Sequence, residues 1–131
     1  MKKYENFCRA LENLHEGLKL DEPYSVVEQT GIVGLFEICF EQAWKTMKAF
    51  LEEDGRFGQK TGSPRGILKT AYQCGMLDNE EGWLKLLEAR NLLAHTYSDE
   101  QSLTVIRQMK TDYILLFDAL KKEIEAHWLI E

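Results

Sequence analysis

From Tyr4 to near His127, apolar side chains recur at spacings of three and four, and no stretch alternates apolar and polar as a half-buried strand would. That period points to packed amphipathic helices. In the first segment Tyr4, Cys8, Leu11, Leu14 and Leu18 keep it, with acids and lysines between them. Pro23 ends this helix, and Ser25-Val26-Val27-Glu28 has the form of a capping box at the next start. The second helix is expected to reach about Glu53, with Phe36, Phe40, Met47 and Phe50 or Leu51 inward, widened by Ile32, Leu35 and Cys39. Gly31 and Gly34 each cost a helix roughly 1 kcal/mol against Ala. They read as a packing notch where another helix approaches, or as a ligand site.

Ser63-Pro64 opens a third helix, serine as cap and proline in the first turn. Ile67, Leu68, Ala71 and Tyr72 share one face, and the helix ends near Gly75. Asp78-Asn79-Glu80-Glu81 is a further cap signal, leading through Trp83, Leu86, Leu87 and Leu93. Ser98-Asp99-Glu100 marks the next boundary. The last helix carries Leu103, Ile106, Tyr113, Phe117, Leu120 and Ile124, with Lys110 interrupting the seam. The expected fold is all-α: an antiparallel, up-and-down bundle of about five helices in one domain over residues 1–131.

With 16 Lys and Arg against 22 Asp and Glu, the chain has a formal net charge of −6. Such a surface argues against broad, charge-driven binding to nucleic acid, but leaves room for a local basic site. Arg56, Lys60, Arg65 and Lys69 make one region locally basic. It reads as a solvated loop or, more sharply, as a patch that steers phosphate, with Arg56, Lys60 and Arg65 its candidate residues. Cys8, Cys39 and Cys74 are odd in number and far apart, so they read as reduced, buried packing residues. The start Met1-Lys2-Lys3-Tyr4-Glu5-Asn6 turns polar too soon for a signal peptide, and no apolar run has transmembrane length. A cytoplasmic protein without membrane contact is expected.

One string stands apart: Arg90-Asn91-Leu92-Leu93-Ala94-His95-Thr96-Tyr97. It puts a fixed cation, an amide, an imidazole and a phenol within about two helical turns. Residues seven apart return to nearly the same face, so Arg90 and Tyr97 project together, and Asn91 and His95 share an adjoining face. Such a polar arc suits a groove or subunit interface better than a core. Arg90 can hold phosphate charge and His95 can move protons near neutral pH. The bland alternative is also physical: His95 as a partner of the helix dipole, and Arg90 paired with Glu37 or Glu41. Glu37 and Glu41 themselves, followed by Lys45 and Lys48, read as an ordinary charge ladder. His15 has no second ligand near it, His127 sits in the last turn, and no His or Cys spacing suits zinc. Neither a metal nor a cofactor is called for. The glycines between Asp54 and Gly62 do not form a P-loop.

Phe36-Glu37 through Trp44-Lys45, then Ser63-Pro64-Arg65, Trp83-Leu84 and the Arg90–Tyr97 string stand in the order that resembles the nucleotidyltransferase substrate-binding proteins of the HEPN superfamily. The resemblance runs from about Tyr4 to Trp128. Gly34-Leu35 departs from the more polar pair expected in relatives. The resemblance implies a homodimeric helical bundle encoded beside a minimal nucleotidyltransferase. In similar pairs the HEPN protein is a ribonuclease toxin and the nucleotidyltransferase its antitoxin. Carried over, Arg90 and His95 are catalytic, Asn91 supports them, and Tyr97 accepts AMP from the partner. The activity expected is metal-independent cleavage of RNA. The alternative it leaves open is a non-catalytic subunit that holds a nucleotide or other substrate for the nucleotidyltransferase.

Overall fold

Helix boundaries fall where the caps stand. In the computed structural model, which describes residues 2–55, 62–95 and 98–129, α1 runs Lys2–Gly17, α2 Val26–Glu53, α3 Pro64–Gln73 and α4 Glu80–His95. The last rod is continuous: α5 Asp99–Gln108, a π-helical turn Met109–Tyr113, and α6 Ile114–His127. Five rods, and no strand among the described residues, meet the expected all-α class. Ser25 caps α2 as a full capping box: its hydroxyl accepts from the Glu28 N–H at 3.0 Å, and its own N–H donates to the Glu28 carboxylate at 2.9 Å. Ser63 accepts from the Gly66 N–H, and Asn79 from that of Gly82. Gly75 stops the chain after α3 at φ 85°, a left-handed conformation that costs glycine little.

Cross-links fix the direction of each rod. Tyr4 on α1 donates to Glu125 near the end of α6 at 2.7 Å, while His15 at the other end of α1 meets Asp118 at 2.8 Å, so these helices run antiparallel. Thr46 on α2 donates to the carbonyl of Lys3 at 3.0 Å, and Gly17 lies against Leu35 and Ile32, so α1 and α2 are antiparallel too. The centre of the bundle is aromatic. Phe117 on α6 touches Trp83 of α4, Phe36 of α2 and Phe7 of α1, with ring centroids 5.5, 6.2 and 6.4 Å away. All four rings are at most 1% exposed.

Several details differ from what the pattern suggests. The seam break at Lys110 takes the form of a π turn, whose Met109 and Tyr113 stay buried while the Lys110 ammonium donates to the Leu20 carbonyl at 2.7 Å and sits 5.5 Å from the Tyr24 ring. Tyr72 is 45% exposed rather than on the inner face of α3. Among the described residues the Gly31–Gly34 notch holds no neighbour: a Cβ at either position would meet none of them within 4 Å. Of the cysteines, all free, only Cys39 is buried, and burial pushes its thiol pKa up; Cys8 and Cys74 are half-buried.

Replacing Phe117 by Ala removes the ring that three helices share, and should cost about 3–5 kcal/mol of stability in urea denaturation. A second expectation concerns the α1–α2 connection. Arg107 donates twice to the Glu22 carboxylate, at 2.9 and 2.7 Å, and this bonding holds the Glu22 pKa below its usual range. A depressed carboxylate pKa stabilises the fold above the unfolded value and loses that contribution as pH falls through the folded one. The melting temperatures of the wild type and Glu22→Gln should therefore differ at pH 7 and converge as pH drops below roughly 4. A gap that persists at low pH would mean that the charge does not matter.

Candidate functional site

Antiparallel α2 and α4 set the site. Arg90 faces Glu41 across this pair, and its Nη2 donates to Glu41 Oε1 at 3.2 Å. Its Nη1 donates to Asn91 Oδ1 at 3.1 Å, and its guanidinium carbon lies 5.6 Å from the centroid of the Phe40 ring. The side chain is 29% exposed. Carboxylate, amide and aromatic face together hold the guanidinium, and its remaining N–H groups have no partner among the described residues. Glu41 is itself shared: its other oxygen lies 3.3 Å from Lys45 Nζ. Of the charge ladder expected from the sequence, the Glu41–Lys45 rung is present while Glu37 has no ion pair among the described residues, and the ion pair of Arg90 to Glu41 is present.

Asn91 and His95 are exposed, one turn apart on α4. His95 is the last residue of the helix. It makes no hydrogen bond to Arg90 or Asn91, so the helix, not a direct contact, sets their relation. Tyr97, Arg56 and Lys60 lie outside the described residues. Arg65 is exposed on the first turn of α3, and Lys69 lies 3.8 Å from Glu80, so part of the local basic charge is already answered. Nothing described brings Arg65 to Arg90.

Two grooves flank the C-terminal half of α4. One, of about 610 Å³, lies between α4 and α5 and is lined by Glu88, Leu92, Glu100 and Tyr113 among others. The second, of about 430 Å³, lies on the flank facing α2 and includes Tyr24, Gly34, Glu37, Ala94 and Ser102. One turn along α4 from Arg90 is Ala94, and one turn back along α2 from Glu41 is Glu37. The second groove thus continues the Arg90–Glu41 contact. The sequence leaves Gly34 as a helix notch or a ligand site, and among the described residues it lines a groove; the sequence places Phe40 in the core, where its ring also meets Arg90. The spacing of Phe40-Glu41 against Arg90 carries no signal until the helices are paired.

Other histidines are engaged elsewhere: His15 with Asp118, and His127 with Glu123 at 3.0 Å. Among the described residues, no group of three or more His, Cys, Asp or Glu is placed to hold a metal ion. None of the described helices is long and apolar enough to cross a membrane.

The profile of the family described as "Nucleotidyltransferase substrate binding protein like" matches residues 2–126. A curated relative from Haemophilus influenzae, named "Probable ribonuclease HepT", is 30% identical over 90 residues. That match covers 65% of this chain and 62% of the relative, so it spans less than two thirds of the relative's length. A protein from Thermus thermophilus, of known crystal structure, superposes with a TM-score of 0.79 at 29% identity, covering 90% of this chain and 98% of that one. The chain belongs to the nucleotidyltransferase substrate-binding protein family, on a HEPN-like helical fold.

Proposed function

We propose that this protein is a metal-independent endoribonuclease whose chemistry rests on Arg90 and His95, and that it is the toxin half of a pair with a minimal nucleotidyltransferase. The observation that carries this reading is Arg90: a guanidinium fixed by Glu41, Asn91 and Phe40, with N–H groups to spare, on the helix that ends in an exposed His95. The name of the Haemophilus relative agrees with it.

RNA brings its own nucleophile. His95 removes the proton of the 2′-hydroxyl, and the 2′-oxygen attacks the adjacent phosphorus. The bond from phosphorus to the 5′-oxygen breaks, and that oxygen takes a proton. The products are a 2′,3′-cyclic phosphate and a 5′-hydroxyl. Arg90 stabilises charge on the phosphate as it develops. One imidazole cannot act as base and acid in the same step, so a homodimer that joins two copies of the motif supplies both. Asn91 steadies Arg90. AMP placed on Tyr97 by the partner enzyme would add bulk and negative charge to the motif and shut the site.

A second reading has its own support. Glu41 already answers part of the charge of Arg90, and the chain is acidic. A site of that kind also suits a binding subunit that holds a nucleotide for the nucleotidyltransferase without cleaving RNA.

Purified protein should cleave RNA in EDTA and leave 2′,3′-cyclic ends, and His95→Ala should cut the rate by about 10²–10⁴-fold without changing the helical circular-dichroism spectrum. Cleavage by His95→Ala at the wild-type rate would remove His95 from the chemistry. No cleavage by a folded protein would favour the binding subunit. The anchoring of Arg90 is checked separately in urea. Glu41→Ala should lose about 1 kcal/mol, against less than about 0.5 kcal/mol for Glu37→Ala, because only Glu41 is ion-paired.

A further inference from the structure

We infer that the groove between α2 and the end of α4 is a nucleobase subsite that selects guanine beside the phosphate held by Arg90. The inference rests on reading Arg90 as a phosphate-holding residue. It does not require cleavage.

The wall carries the argument. Glu37 lines the groove, half-buried, with no ion pair and no hydrogen bond among the described residues, while Glu41 one turn away is bonded to both Arg90 and Lys45. A partly desolvated carboxylate accepts hydrogen bonds and donates none. It suits a ligand edge rich in N–H groups. Guanine presents its N1–H and its 2-amino group side by side, matching the two oxygens of one carboxylate. Uracil presents a single N–H between two carbonyl oxygens, which a carboxylate repels. RNA readers bind unstacked bases in this way, by their Watson–Crick edges.

Gly34 makes the room. It lines the groove, and a Cβ there would meet none of the described residues within 4 Å. At about 430 Å³ the groove falls within the range of small-molecule sites. A carboxylate beside a backbone phosphate is unfavourable unless the base answers it. The same charge that weakens general RNA binding therefore sharpens the choice of base.

Binding of 5′-GMP and 5′-UMP, followed by NMR titration of the full chain, separates the base from the phosphate, because both ligands carry the same phosphate. Wild type should bind GMP about tenfold tighter than UMP. Glu37→Gln and Gly34→Leu should bring that ratio near one. Gly31→Leu is the control: Gly31 is equally open but does not line the groove, so its ratio should stay as in the wild type. Both glycine variants gain helix propensity, and an unchanged or raised melting temperature shows that they fold. A wild-type ratio near one, or a ratio indifferent to Gly34→Leu, overturns the subsite. So does loss of a dimer in sedimentation when Gly34→Leu alone is made, since the groove would then seat a second copy of the chain. The two readings fail separately. RNA cleavage with no guanine preference in binding keeps the ribonuclease and removes the subsite. A Gly34-dependent GMP preference without cleavage keeps the subsite and removes the ribonuclease.

Discussion

The ring of Phe117 is the point on which the bundle turns. It receives Phe7, Phe36 and Trp83 from three other helices, so the rotation of each helix is fixed by the same small volume. Packed interiors tolerate little sliding, and a helix cannot turn without breaking one of these contacts. Once Phe36 and Trp83 are seated, α2 and α4 have only one register. Glu41 then meets Arg90, and Gly34 and Glu37 line one groove with the end of α4. The polar site is set by an apolar core that it touches at Phe40.

That dependence explains how an acidic chain keeps a useful arginine. An isolated surface guanidinium would sample many rotamers and be screened by solvent. Arg90 instead has a carboxylate on one side, an amide on another and an aromatic ring beneath. Ordering a long side chain costs entropy, and here that cost is met within the fold rather than when a ligand arrives. The carboxylate weakens the local field while fixing its geometry. Position is gained and long-range attraction is reduced.

Much of this was legible in the sequence, and the remainder has physical reasons for being hidden. Caps at Ser25 and Ser63, the stop near Gly75 and the inward stripe of α2 are local, because a cap or a period involves residues within one or two turns. The motif on α4 was legible for the same reason, as a spacing on one helix. The Arg90–Glu41 pair was visible only as one of two options, since choosing between Glu37 and Glu41 needs the register between helices. Gly31 and Gly34 leave two options open in the sequence, a packing notch or a ligand site, because a missing side chain signals room without saying whether protein fills it. The interruption at Lys110 was visible too, but its form as a π turn depends on Leu20 and Tyr24 receiving that lysine from another part of the chain.

On the proposed reading, the acidic balance is a property of the mechanism rather than an obstacle to it. A protein that neutralises many phosphates binds any RNA and loses affinity steeply with salt. A site with one fixed guanidinium gains little from phosphate alone, so discrimination must come from contacts that other RNA lacks. Glu37 is placed to supply such a contact at a base, and His95 contributes only where a 2′-hydroxyl reaches it. Substrate choice is then concentrated in a few groups at one end of α4, and the rest of the surface can stay acidic without loss.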